Sequence, residues 1–312
     1  MLTHYVPRGA TVKSQGQQSQ DQPGSAATPS ATHRQEPIGR LDRSQPGEYL
    51  ARTLAPPNTA LSLTHLIREP ATKSAHPPLL LLLHGVGGHE SDLLQLAPHL
   101  DDRFFVVGAR APITLAPGSY AWFHVAFTPS GPLINPDHAE QSRSRLLRFI
   151  DEGAAAYRLD RRRVYLMGFS QGAVIGHSIA LTCPQKLAGL VAMSGRVLPE
   201  VLPGQAPSEA FRGLAVMVVH GLDDQKLAIS YGRKARDLWS RLPAALTYRE
   251  YAMGHEVTQE SLTDIGSWLK ERLDGESPSP PLDRGEERRS SSGQEEAKGE
   301  VVRQRRRKGR SR

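Results

Sequence analysis

Apolar and polar positions along the middle of the chain fall into a readable order. Leu61-Ser62-Leu63-Thr64-His65-Leu66-Ile67 alternates, which predicts a strand with one exposed face near a sheet edge. Leu79 to Leu83 is apolar at every position. A strand without alternation is covered on both faces, as in a parallel sheet. A helical stretch follows from about Ser91 to Leu100, then a short strand, Phe104 to Val107. From Ala109 to Pro136 prolines recur and no helical period is present. Tyr120, Trp122, Phe123 and Phe127 fall inside that stretch, which reads as a long aromatic loop. His138 to Tyr157 places Leu146, Ile150, Ala154 and Tyr157 on one helical face. Val164 to Met167, Leu190 to Met193 and Leu214 to Val219 are buried strands, and Ala173 to Thr182 is a helix. A helix over Ala228 to Leu242 and a strand over Leu246 to Tyr251 come next. The last helix, Thr258 to Leu273, carries Leu262, Ile265, Leu269 and Leu273 at spacings of 3, 4 and 4.

Buried strands alternating with amphipathic helices predict an α/β fold, a mostly parallel sheet with helices on both faces. Ligands of such sheets bind beyond the carboxyl ends of the strands. Four loops that carry glycine, serine, aspartate or histidine follow Leu83, Met167, Val219 and Tyr251, all at those ends.

Composition changes the picture at the termini. The 312 residues are 38% hydrophobic, and the deficit sits mostly at the ends. Residues 1–47 and 276–312 hold too few large apolar side chains to offset the entropy of ordering, and both read as disordered. Residues 48–275 remain as one domain. Of the net charge of +7, the C-terminal segment supplies +4, from eleven Lys and Arg against seven Asp and Glu. The rest is nearly balanced and gives no reason to invoke nucleic acid as a substrate. The run of arginines from Arg303 to Arg312 either stays solvated or holds anionic lipid or RNA phosphates. Cys183 is the single cysteine, which suits a reducing compartment. No apolar stretch at the start resembles a signal peptide, and no run reaches membrane-span length, so cytoplasm is the expected location.

The chemistry centres on Gly168-Phe169-Ser170-Gln171-Gly172, between a strand and a helix. Strand, G-x-S-x-G, helix is the order of a nucleophile elbow, a turn tight enough to exclude side chains at both glycines. A serine hydroxyl needs a base to take its proton, and histidine titrates near neutrality. A carboxylate must hold that imidazole in one tautomer. After Ser170, Asp223-Asp224 follows one strand and His255 the next. The main-chain N–H of Gln171 and one from the loop after Leu83, that of Val86, can bind the oxyanion. His84 and His220 each end a strand and read as packing or loop-orienting residues. No Cys/His cluster suggests a metal, and no phosphate-binding glycine loop or other cofactor motif is present.

Together LLLHGVGG, VYLMGFSQGA, VVHGLDDQKL and YAMGHEVTQE resemble the phospholipase/carboxylesterase family of α/β-hydrolases, which includes the acyl-protein thioesterases. The likeness runs over about Leu61 to Leu273. It implies an α/β-hydrolase fold with Ser170 as nucleophile, His255 as base and Asp224 as acid, and oxyanion donors at Val86 and Gln171. Gln225-Lys226-Leu227-Ala228 stands where the family has a Pro-Val-Pro-like segment. His124 stands where it often has Asp or Asn. Both departures bear on the pocket wall, for which Trp122 and Phe123 are the candidates. The first reading is a serine hydrolase of small or medium acyl esters or thioesters. A lysophospholipase and a non-catalytic scaffold that binds through its basic tail are the alternatives.

Overall fold

The chain enters its sheet at an edge. The computed structural model describes residues 60–128 and 131–275. Residues 1–47 and 276–312, read above as disordered, lie outside the described residues. The first three strands are β1 (His65–Arg68), β2 (Leu79–Leu83) and β3 (Phe105–Ala109). β1 is shorter than the alternation predicts, starts later, and pairs antiparallel with β3. Its polar side chains are not exposed. His65 Nε2 and Tyr157 Oη lie 2.6 Å apart, and buried Arg68 donates to Ala97 O at 2.7 Å and Asp101 O at 3.0 Å. Alternation at an edge strand therefore reports solvent only when no other segment offers acceptors.

The segment expected as a helix over Ser91–Leu100 is a 3-10 helix, Leu93–His99, with Pro98 inside it. A proline lacks the N–H that an α-helix needs there. The expected aromatic loop is instead two hairpins. β4 (Ile113–Ala116) pairs with β5 (Ser119–Ala121), and β6 (Val125–Thr128) with β7 (Gly131–Ile134). Pro117-Gly118 turns the first, with Gly118 at φ +73°. A Pro-Gly pair between short β-prone runs is the sequence signal for this turn.

α1 (Pro136–Ala156) begins two residues before the expected His138, since Asn135 caps it and Pro136 opens it. β8 (Val164–Phe169), α2 (Gln171–Thr182), β9 (Gly189–Met193) and β10 (Ala215–Gly221) follow. Then come α3 (Ile229–Trp239), β11 (Ala245–Tyr251) and α4 (Gln259–Gly275). The main sheet has the order β1-β3-β2-β8-β9-β10-β11 and is parallel except at β1. Both faces are covered, as the leucine run requires. Leu79, Leu81 and Leu83 share one core cluster with side chains of α1, α2 and α3. Leu80 and Leu82 pack on the other face with Leu93, Leu94 and the α4 residues Leu262, Ile265 and Leu269. No helix among the described residues is long and apolar enough to cross a membrane.

Arg68 ties the edge strand to the 3-10 segment through the buried Ala97 carbonyl. Arg68→Met should lower the free energy of unfolding by about 2–4 kcal/mol in a urea titration. A loss under about 0.5 kcal/mol would show that this carbonyl finds another donor.

Candidate active site

Strand β8 ends on Phe169 and α2 begins on Gln171, so the whole reversal falls on Ser170. Ser170 sits at φ 53°, ψ −115°, outside the ordinary regions for a side-chain-bearing residue. The neighbourhood leaves no room on either side. A Cβ on Gly168 would meet the main chain of Gly172, and one on Gly172 would run into the Leu83 carbonyl of β2. The Ser170 N–H donates to Met193 O of β9 at 2.9 Å, which ties the turn to the next strand.

Three side chains from three strand ends meet here. Ser170 Oγ lies 2.9 Å from His255 Nε2, and His255 Nδ1 lies 2.7 Å from Asp224 Oδ2. Asp224 Oδ1 accepts from the N–H groups of Lys226 at 2.9 Å and Leu227 at 2.8 Å. Burial pushes the Asp224 carboxyl upward, but the His255 hydrogen bond and charge and the Leu227 N–H outweigh it. The group is held below the usual carboxylate range. It is therefore an anion at neutral pH and accepts the His255 Nδ1–H, which leaves Nε2 facing the serine as an acceptor. Asp223 is exposed; its N–H donates to Met253 O at 3.1 Å, and no side chain caps α3. The loop with His255 closes on the acid loop because position 221 is glycine. A Cβ there would strike the carbonyls of Met253 and Gly254.

The glycine loop after β2 runs beside the serine. A Cβ placed on Gly85 would lie 3.3 Å from Ser170 Cβ. Val86 is half-buried, and among the described residues its N–H has no acceptor. Gln171 is the first residue of α2, where N–H groups have no partner within the helix. Both expected oxyanion donors thus lie on segments that border Ser170. Gly87 and Gly88 are pinned by Tyr120, through Gly87 N to Tyr120 O at 2.8 Å and Tyr120 N to Gly88 O at 2.9 Å.

His84 holds the start of that loop. Its Nε2 accepts from Ala111 N at 3.1 Å, so the proton is on Nδ1 and is donated to Gly85 O at 2.7 Å. Burial pushes its pKa down to about 4, which keeps it neutral. Trp122 and Phe123, expected to wall the pocket, are 0% and 2% exposed and pack in the core beneath it. The Trp122 indole donates to His84 O at 2.9 Å, and Ser142 of α1 donates to Trp122 O. Gln171 completes this seam in a way its sequence position did not reveal. Its Oε1 accepts from Trp122 N at 2.9 Å and its Nε2 donates to Phe123 O at 2.8 Å. The side chain after the serine thus stitches the hairpin region to the elbow. Only the main-chain N–H of Gln171 was legible, because the partners lie 48 and 49 residues away.

The parallel sheet, the elbow and the three strand-end side chains define an α/β-hydrolase. Residues 66–273 match the phospholipase/carboxylesterase family, and the chain belongs to it. It is a hydrolase. It is 28% identical over 211 residues to the putative hydrolase MhqD of Bacillus subtilis, across 64% of this chain and 96% of that one. It is 28% identical over 238 residues to acyl-protein thioesterase 1 of Cryptococcus neoformans, across 68% and 98%. A carboxylesterase structure from Bacillus cereus superposes with a TM-score of 0.60 at 24% identity, covering 73% of this chain and 100% of that one.

The buried histidines set the acid limit of stability. His84 and His177 are pushed down by burial to about 4 and about 3, against 6.5 for a free side chain. Between those values the unfolded chain binds more protons than the folded one. Stability is then full above about pH 6.5 and is lost as pH falls toward 4. Asp224, with its lowered pKa, adds a loss in the same direction through the carboxylate range. The urea midpoint is expected to hold level from about pH 8 to 7 and to drop clearly by about pH 5. A midpoint unchanged at pH 5 would mean that these rings gain protons without unfolding.

Proposed function

We propose that the chain is a serine carboxylic-ester hydrolase, acting on small or medium acyl esters or thioesters through an acyl-serine intermediate. The continuous line from Ser170 Oγ to His255 Nε2 and from His255 Nδ1 to Asp224 Oδ2 carries the reading. The relatives named carboxylesterase and acyl-protein thioesterase support the substrate class. His255 Nε2 takes the hydroxyl proton as Ser170 Oγ bonds to the carbonyl carbon. Asp224 stabilises the imidazolium that results. In this reading the oxyanion is met by the N–H groups of Val86 and Gln171, main-chain donors that need no reorganisation as charge develops. Collapse breaks the bond to the alcohol or thiol, which leaves with the proton from His255. Water then repeats the sequence on the acyl-serine and releases the acid. The reading places the enzyme in the cytoplasm, gives the chemistry to residues 66–273, and gives the basic run from Arg303 to Arg312 no part in it.

A fluorophosphonate probe should label the wild-type protein at Ser170, and Ser170→Ala should abolish both labelling and ester turnover. Loss of the nucleophile is expected to lower kcat by about a million-fold. Activity within about tenfold of wild type would remove Ser170 from the mechanism.

The adjacent aspartates give a second, sharper outcome. Asp224→Asn should cost about four orders of magnitude in kcat, since the amide favours the wrong imidazole tautomer. Asp223→Asn, on an exposed side chain, should stay within about tenfold. The reverse order of the two would move the acid by one residue.

A further inference from the structure

We infer that His220 is a positioning residue of the catalytic acid, fixing the turn that presents the Asp224 carboxylate to His255. The inference rests on the hydrolase reading above and adds to it a residue outside the Ser-His-Asp line. His220 lies near the end of β10, is 0% exposed, and stands four residues before Asp224. Its Nε2 lies 2.7 Å from Leu227 O. A carbonyl oxygen only accepts, so Nε2 carries the proton. The same nitrogen lies 3.5 Å from Asp224 Oδ2, the oxygen that receives His255.

These contacts close a ring. The Leu227 N–H and the Lys226 N–H hold Asp224 Oδ1, and the Leu227 carbonyl is held in turn by His220. With Oδ1 occupied by two main-chain donors, Oδ2 is left for His255. Remove the His220 donor and the Leu227 carbonyl is buried without a partner, so residue 227, whose N–H orients Oδ1 from the preceding peptide, loses its anchor. The other side of the ring is clamped. A Cβ on Gly232 of α3 would come within 2.8 Å of His220 Cγ and Nδ1, so the helix lies flush on the imidazole. Among the described residues buried His220 Nδ1 meets no donor, so the Nε2 side makes the contact that matters.

Charge explains why a histidine suits this place. His177 from α2, Glu250 from β11, His255 and Asp224 are the ionisable groups whose charges it feels. Burial holds His220 below its ordinary pKa despite the nearby Asp224. A neutral imidazole donates a hydrogen bond without bringing a second cation to Asp224. The carboxylate's charge is then left for the His255 imidazolium, where the reaction needs it. A lysine or arginine here would compete with His255 for it.

The test compares His220→Gln, His220→Asn and His220→Phe on an activated ester, with each kcat divided by the sites titrated with fluorophosphonate. Glutamine places an N–H close to the native Nε2, asparagine draws it back toward Nδ1, and phenylalanine fills the volume with no donor. His220→Phe is expected to lower kcat about 10- to 100-fold with KM changed less than about threefold. His220→Gln should recover most of that loss and His220→Asn little of it. The acid limb of kcat/KM should move to lower pH in the phenylalanine variant, because a displaced Asp224 no longer favours the His255 cation. A merely structural role would lower the number of titrated sites and leave that limb in place. Wild-type kcat per site in His220→Phe, or equal losses in the glutamine and asparagine variants, would overturn the inference. If the phenylalanine variant does not fold, the glutamine-to-asparagine ratio decides alone. A wild-type protein that neither labels nor turns over would instead overturn the hydrolase reading, and this inference with it.

Discussion

The reversal of the chain at Ser170 is the constraint on which the rest depends. A strand and a helix meet with one residue between them, and that residue is held at φ 53°. Such a conformation costs on the order of 1–3 kcal/mol and persists only when its surroundings over-determine it. Here the surroundings are two neighbouring strands. Leu83 of β2 presses its carbonyl against Gly172, and Met193 of β9 accepts the Ser170 N–H. The order β2-β8-β9 in the sheet is thus what keeps the turn closed. The burial of the five leucines of β2 on both faces supplies the rigidity.

Around that turn the site is assembled by polar contacts between segments far apart in sequence. Trp122 joins three of them: the glycine loop through His84 O, the elbow through Gln171, and α1 through Ser142. Every one of these groups is buried, so each bond broken leaves a donor or acceptor without water. The aromatic ring is held for its N–H as much as for its area. That arrangement holds the glycine loop, whose Gly85 lies beside Ser170.

Two opposing effects meet at Asp224. Burial pushes the acid toward its protonated form, and a protonated acid could not hold His255 in the required tautomer. Two main-chain N–H groups and the imidazole tip the balance toward the anion. Elsewhere in the core burial wins, and His84 and His177 stay neutral. Donors favour the charged form of a carboxylate, whereas a buried imidazole is charged only where acceptors or anions outweigh burial.

What was legible in the sequence was local or periodic. The run Leu79–Leu83 shows a strand covered on both faces because each residue has to be apolar for that placement. Gly168-x-Ser170-x-Gly172 shows the elbow because sterics within five residues demand it. The order of Ser170, the Asp223-Asp224 pair and His255 at strand ends nominates the positions, and the family resemblance implies Asp224 of the two. Tertiary structure alone decided which side chains reach across. It buried His65 and Arg68 on a strand that alternates as if half exposed, and it folded the proline-rich segment into hairpins. It sank Trp122 and Phe123 into the core and gave the Gln171 amide two distant partners. It also turned His220 toward Leu227 and Asp224. A backbone period reports the average environment of a face. Where one polar group finds its partner depends on strands brought together by folding, and no local pattern records that.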